Sequence, residues 1–445
     1  MASNTEKNRL DRLQAETRRF QQRDAALSAI SRKYWIARRT ILVGGFLIAV
    51  LVFALAGQSA GWVVVGVALA LFIGVAIYHQ KVLTSLDVNR MWLNIKATQI
   101  ARINLDWKHL PDHTEQPPTP GHPFEFDLDI TGEYSLHRLL DSTVTGGGSK
   151  RLREWLLSTK PDLDVISKRQ AVVRELSGLA LFRQKLLLVS ALMTRRARAS
   201  LDAERVLAWI GPSASAAFPV WRLAVLSILS VVNITLFVLF EAAHLYPYWL
   251  FTWLAYLMIY WAGRGVTNTA FEQALALEES LKNLQTVFGH LEKYHHTHSP
   301  NVAAMAAPFL DPLNKPSAYL KRVSRAASGL SFRRGNPYVW GPVQAIVPMD
   351  LWYAYYFNRY RAALATLLPS WVEVWFELDA LTSLANFADL NPEYAFPIVR
   401  PASHEEEPAF EALGLGHPLI PKHERVANDF KFDRRTRIGI ITGSN

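Results

Sequence analysis

Cysteine is absent from all 445 residues. That excludes a disulfide scaffold, a thiolate metal site and a cysteine nucleophile, and it fits a reducing interior. Charge is also sparse in four places. Ile41–Ala56, Trp62–Tyr78, Leu223–Phe240 and Trp249–Trp261 are almost wholly apolar and carry no Asp, Glu, Lys or Arg. No small-residue cleavage site follows a short apolar core, so these runs do not read as a cleaved signal peptide. Without an intramembrane charge they also lack the mark of a conduction path, which argues against a transporter. Asn233 and Thr235 are their most polar deep residues.

What is present is an apolar excess packed into those runs. Half of the residues are hydrophobic, 19% are charged, and the net charge is +10. Such a positive balance suits nucleic acid, anionic lipid or the cytoplasmic face of a membrane. The first two apolar runs, about 16 to 18 residues each, are near the lower limit for a bilayer span and read as a hairpin through Gly57–Gly61. Tyr34, Trp35, Tyr78 and His79 suit its interfaces. The second pair reads as another hairpin, turning through residues 241–247. Neither turn holds Lys or Arg. The outer flanks carry Arg32, Lys33, Arg38, Arg39 and Lys81 for the first, and Arg195, Arg196, Arg198, Arg222 and Arg264 for the second. By the positive-inside rule both turns face outward and the remainder is cytoplasmic.

The other segments read in order. Residues 1–40 form a basic amphipathic cytoplasmic helix, with ten Lys or Arg against four Asp or Glu. Residues 80–128 are a helical stretch followed by a proline-rich linker. Residues 129–222 are soluble core helices. Within them, Tyr134–Leu157 reads as helix, glycine turn at Gly146–Gly148, helix, and Asp164–Leu176 as an amphipathic helix. Residues 264–395 carry long helices over Thr269–His290 and Leu364–Ala388. The aromatic run Tyr338–Tyr360, broken by Pro342, Pro348 and Asp350, reads as buried helix of the soluble core. Residues 396–445 end in a β-branched strand, Ile438–Thr442, that runs into Gly443.

The segment Leu139-Leu140-Asp141-Ser142-Thr143-Val144-Thr145 through Arg151-Leu152-Arg153-Glu154-Trp155-Leu156 resembles the core-domain signature of the MutS mismatch-repair ATPases. Pro161-Asp162, Ile166, Arg169-Gln170-Ala171-Val172 and Glu175-Leu176 continue the likeness. Glu377–Ala385 resembles the end of the family's lever helices. Arg400-Pro401, Gly416–Ile420 and Val426–Asp429 resemble strands entering its ATPase domain, and Ile440–Asn445 resembles the start of its phosphate loop. The inserted hairpins resemble a membrane-anchored branch of MutS-related proteins.

The resemblance implies a mainly α fold: two transmembrane hairpins (41–79 and 223–263), a MutS-like core and lever domain, and the first strands of an α/β P-loop ATPase domain. It implies that ATP with Mg²⁺ is bound in the intact protein, with Val426 packing on the base and Asn428 supporting the loop. Gly443, Ser444 and Asn445 would open the phosphate cradle through backbone N–H groups. Arg425 stands where many members have an aromatic residue. The chain is read as an N-terminal fragment ending as that loop begins, so no catalytic residue is assigned and no useful hydrolysis is expected of it. The implied partners are membrane lipid and a second copy joined through the ATPase domain, with duplex DNA as the inherited alternative. The implied location is the inner membrane of a bacterium.

The first 130 residues do not resemble the family's mismatch-reading and connector domains. Phe124-Glu125-Phe126 only half matches its Phe-x-Glu reading wedge. The different-class alternative is a structural membrane scaffold without nucleotide chemistry. Outside these motifs, His290, His295, His296 and His298 beside Glu292 read as a polar helix terminus rather than a metal site. His404–Glu407 reads as a solvated acidic loop. Arg322, Arg325, Arg333 and Arg334 read as a basic patch that either meets DNA, lipid headgroups or the ATPase domain or serves solubility alone.

Overall fold

The computed structural model describes residues 2–111, 119–196, 206–207, 219–244, 246–294, 299–311, 314–335, 337–401 and 410–432. The chain divides into two compact units. The first comprises Met1–Asp141, Trp155–Gln170 and Leu384–Asn445, and the second comprises Ser142–Glu154 and Ala171–Ser383. Helices dominate both.

In the first unit, α1 (Ala2–Ala56) and α2 (Gln58–Asn104) form one antiparallel pair, hinged at Gly57 with φ 85°. A side chain there would strain the left-handed backbone, so glycine suits the hinge. The basic N-terminal segment and the first apolar run are therefore one uninterrupted helix. Likewise, the second run continues without a break to Asn104, where Leu105 caps it in the left-handed region. Two kinds of packing hold the pair. Near the hinge the helices approach closely at small residues: Gly45 faces Ala68, and Gly61 faces Phe53. Away from the hinge the contacts turn polar. The Asn89 amide donates to the Phe20 carbonyl at 2.9 Å, Arg90 pairs with Asp24 at 3.1 Å, and buried Lys96 reaches Glu16 at 2.9 Å. Leu13, Ile103 and Leu390 close the base as a small core, beside an Arg9–Asp389 ion pair.

The same pair exposes its apolar residues outward near the hinge; Phe46 is 68% exposed. Among the described residues, three helices are long and apolar enough to cross a membrane: Asn8–Ala56, Gln58–Asn104 and Val220–Ala243. The fourth apolar run forms a shorter helix of 14 residues, Trp249–Ala262.

The second unit begins with α4 (Gly146–Leu156), which follows the short α3 (Leu136–Leu140) of the first unit. It resumes at Ala171 within α5 (Leu163–Gly178), whose Val172, Val173 and Leu176 are buried, and continues through α6 (Ala180–Arg196). Next come α7 (Val220–Ala243), α8 (Trp249–Ala262) and α9 (Arg264–Lys293). Two short helices, α10 (Pro300–Met305) and α11 (Ala307–Leu310), lead to α12 (Pro316–Gly335), α13 (Pro337–Gln344) and the 42-residue α14 (Met349–Leu390). Carboxylates cap two of these starts. Glu175 accepts from the backbone N–H groups of Asn301 and Val302, and Glu292 accepts from the N–H and hydroxyl of Ser317. The core of this unit is aromatic: Phe288 meets Phe309, Trp371 and Trp375 edge-on at 5.1 to 6.4 Å.

Two expectations change here. Gly146–Gly148 is not a turn between helices; it opens α4, and the turn is residues 141–145. The reason is space, because a Cβ on Gly147 would collide with the Phe376 ring. Secondly, the aromatic run 338–360 is not simply buried soluble helix. α13 and α14 form a wedge whose corner, residues 345–348, lies against the apolar hairpin α7–α8. Pro348 stops the helix, which frees carbonyls at the corner, and hairpin side chains satisfy them. The Tyr256 hydroxyl donates to Gln344 O at 2.7 Å, the Trp253 indole to Ala345 O at 2.8 Å, and the Ser230 hydroxyl to Ile346 O at 2.7 Å. Beyond the corner, the Tyr260 hydroxyl donates to Asp350 at 2.6 Å. Broken helix is tolerated in apolar surroundings only when its polar groups are matched in this way.

The corner supplies a first test. Tyr256→Phe should keep the ring packing, leave the Gln344 carbonyl bare and cost about 1–3 kcal/mol. A thermal midpoint in detergent unchanged by this substitution would refute the role.

Candidate functional site

The centre of the second unit is a clamp between the turn 142–145 and one face of α14. Asp379, buried on that face, accepts three hydrogen bonds through one carboxylate oxygen. They come from Val144 N at 3.1 Å, Thr145 N at 3.0 Å and the Thr145 hydroxyl at 2.7 Å. The same hydroxyl accepts from Gly148 N at 2.9 Å and so caps α4. One turn along, the Ser383 hydroxyl accepts from Ser142 N at 3.1 Å and lies 3.2 Å from the Ser142 hydroxyl. A Cβ on Gly148 would fall 2.7 Å from Thr145 Oγ1 and 2.8 Å from Asp379 Oδ2, so this approach requires glycine. Two sequence motifs more than 230 residues apart thus form one hydrogen-bonded node. An acid in the apolar stretch Leu378-Asp379-Ala380-Leu381 was the available signal for it. Its partner was not readable. This node has no nucleophile or base set in a cleft; its chemistry is mechanical, holding α14 rigidly to the start of α4.

A second buried charge organises residues 138–141 within the first unit. The Arg102 guanidinium donates to the carbonyls of Arg138 (3.0 Å), Leu139 and Asp141. Burial lowers its pKa to about 10, partly offset by Asp141. Glu125 is similarly structural. It is 2% exposed and accepts from Thr119 N and the Thr131 hydroxyl, both at 2.8 Å, whereas Phe126 is 84% exposed. This wedge-like tripeptide therefore spends its carboxylate on its own loop.

The residues assigned to nucleotide lie beside a β-hairpin of the first unit. β1 (Phe410–Leu415) pairs antiparallel with β2 (Asn428–Phe432), with Asn428 opposite Leu415 and an irregularity between Ala412 and Leu415. Val426 is 75% exposed and Asn428 is exposed, so both side chains are open to a ligand. Arg425 is not. Its guanidinium donates to Ile420 O at 2.7 and 3.1 Å, reaches the Tyr394 hydroxyl and lies 5.7 Å from the Tyr394 ring. Gly443, Ser444 and Asn445 lie outside the described residues, as do the strand 438–442 and the acidic segment 404–407.

Of the histidine cluster, His295, His296 and His298 are outside the described residues. His290 stacks on Phe182 at 6.1 Å, and Glu292 is engaged by Ser317. Burial, with Lys185 and Lys293 adding to it, holds the His290 imidazole below its ordinary value of 6.5.

Two outcomes are expected. Asp379→Ala should leave three buried donors unmatched and lower stability by about 3 kcal/mol, read as a shift in denaturation midpoint, with Asp379→Asn milder. For His290 the unfolded chain binds the proton more readily than the folded one. The stability it contributes is therefore full above the ordinary value and is lost as pH falls below 6.5 toward the lowered folded value. His290→Phe should flatten the fall in thermal midpoint between about pH 7.5 and 5.5; an equally steep fall would count against the assignment.

Residues 119–323, just under half of the chain, match the family model of MutS domain III. No curated protein matches the chain, and no solved structure does. The matched span contains the turn 142–145, α5 with the Glu175 that caps α10, the apolar hairpin α7–α8, and the start of α12. Through domain III, the match relates this chain to the MutS family.

Proposed function

We propose that this is a membrane-anchored, MutS-related ATP-binding protein in which nucleotide-driven closure is passed along helical levers. One observation carries the reading. The contiguous domain III match encloses an outward-facing apolar hairpin, α7–α8, so a lever-type helical domain and a candidate anchor share one structural unit. In this reading α1–α2 and α7–α8 insert in an inner membrane with their turns outward, and the helical core remains on the cytoplasmic side. The Asp379 clamp stops α14 from rotating independently of α4, which is what a lever needs. ATP, with Mg²⁺, would lie along Val426 and Asn428, followed by the loop opening at Gly443, Ser444 and Asn445, in a dimer closed around nucleotide. Its output would be movement at the membrane, with duplex DNA as the family-inherited alternative partner.

The cysteine-free sequence makes the topology test simple. Single substitutions Ser59→Cys and Ala242→Cys should react with an impermeant maleimide added outside intact cells, and Ser149→Cys only after permeabilisation. Reaction of all three from the same side would end the anchor reading. For the nucleotide, a fluorescent ATP analogue should bind the natural full-length protein about tenfold more weakly in Asn428→Ala or Val426→Asp, a loss of about 1.4 kcal/mol. No binding by the unsubstituted protein would leave only a scaffold.

A further inference from the structure

Arg322, Arg325 and Ala326 of α12 line a cleft of about 200 Å³ together with Tyr353, Tyr356 and Tyr360 of α14. Both arginines are exposed. Arg322 lies 5.6 Å from the Tyr319 ring, and neither guanidinium is held by a carboxylate among the described residues. The wall is built to stay in place: Tyr353 stacks on Trp340 at 6.3 Å, Tyr356 on Tyr360 at 6.0 Å, and a Cβ on Gly329 would strike the Tyr353 ring. The cleft thus combines two uncommitted guanidinium forks with three phenol edges. That set recognises a phosphate, because the fork matches two phosphate oxygens and a hydroxyl donates to a third.

The position of the cleft along α14 selects the source of that phosphate. Gln344, Ala345 and Ile346 sit at the level of Tyr256, Trp253 and Ser230, inside the apolar hairpin, and Asp350 sits at Tyr260, two residues from the end of α8. From Asp350, α14 climbs about 1.5 Å per residue, placing Tyr353 to Tyr360 about 5 to 15 Å further out. The headgroup layer is about 5 to 8 Å deep on each side of the hydrocarbon. Arg222 and Trp221 at the start of α7, with Trp261 at the end of α8, supply the cationic and aromatic residues typical of that level.

We propose that the Arg322–Arg325–Tyr356 cleft binds the headgroup of an anionic phospholipid from the cytoplasmic leaflet, fastening α12 and α14 to the membrane beside α7–α8. Its depth, though not its ligand chemistry, rests on the anchor reading above. A lipid here would press on α14, the helix that carries Asp379, so membrane composition would bear on the lever.

The test uses the full chain in neutral detergent, with soluble short-chain phosphatidylglycerol as the probe and native mass spectrometry as the readout. The unsubstituted protein should retain the anionic lipid, and Arg322→Gln/Arg325→Gln should bind it about tenfold more weakly. Tyr356→Leu should fall between them. Short-chain phosphatidylcholine should bind weakly to all three. The charge-matched control Arg18→Gln/Arg19→Gln, on the exposed face of α1, should bind as the unsubstituted protein does. Equal binding by the double variant, or an equal loss in the control, would overturn the site. Displacement by millimolar inorganic phosphate would make it a free-phosphate site, and displacement by a duplex oligonucleotide a nucleic-acid site; either overturns the lipid assignment. Maleimide labelling separates this from the anchor. Arginine-dependent lipid binding by a chain that does not insert would keep the site and remove the anchor, whereas insertion without such binding would remove the site alone.

Discussion

A backbone carbonyl in apolar surroundings must find a donor, and much of this structure follows from that constraint. Helices meet it internally, which is why the apolar runs lie in helices as long as 55 residues. The exception is the corner between α13 and α14. There Pro348 breaks the ladder, and Tyr256, Trp253 and Ser230 of the neighbouring hairpin supply the missing donors. The wedge and the hairpin therefore depend on each other. Without the wedge, three donors would face apolar surroundings unmatched; without the hairpin, three carbonyls would.

The same requirement, applied to charge, explains the interior of each unit. Asp379 and Arg102 are costly to bury, and each recovers that cost by gathering several backbone groups at once. Asp379 collects two N–H groups and a hydroxyl, and Arg102 collects three carbonyls. Such nodes bind segments distant in sequence more rigidly than apolar packing alone, because the hydrogen bonds are directional. That property would suit the lever role proposed for α14.

Much of the helical architecture was legible from composition and period. The apolar runs, the amphipathic Asp164–Leu176 and the long C-terminal lever all lie in helices. Helix boundaries were less legible. Residues 40 and 41 mark a change of composition from basic to apolar, and one helix crosses that change without interruption. Gly146–Gly148 signalled a turn because glycine is a weak helix former, yet contact with Phe376 and Asp379 overrides that propensity. The aromatic run 338–360 gave no sign of its partner, since apolar residues buried against a soluble core or against an apolar hairpin look alike in sequence. Beside the β1–β2 pair, Val426 and Asn428 are exposed, while Arg425 is occupied by Ile420 and Tyr394, a pairing that spacing along the chain does not announce.

By itself, then, the sequence determined where this protein is apolar, where it is helical, which motifs relate it to MutS domain III and how positive charge flanks its apolar hairpins at the ends away from their turns. These are properties of neighbouring residues and of spacing along one chain. Only the tertiary structure decided that Asp379 closes on Thr145, that the 345–348 corner is satisfied by α7 and α8, and that two arginines and three tyrosines share one cleft. Each of those joins positions separated by some thirty to more than two hundred residues, and a hydrogen bond depends on distance and direction in space, which spacing along the chain does not encode.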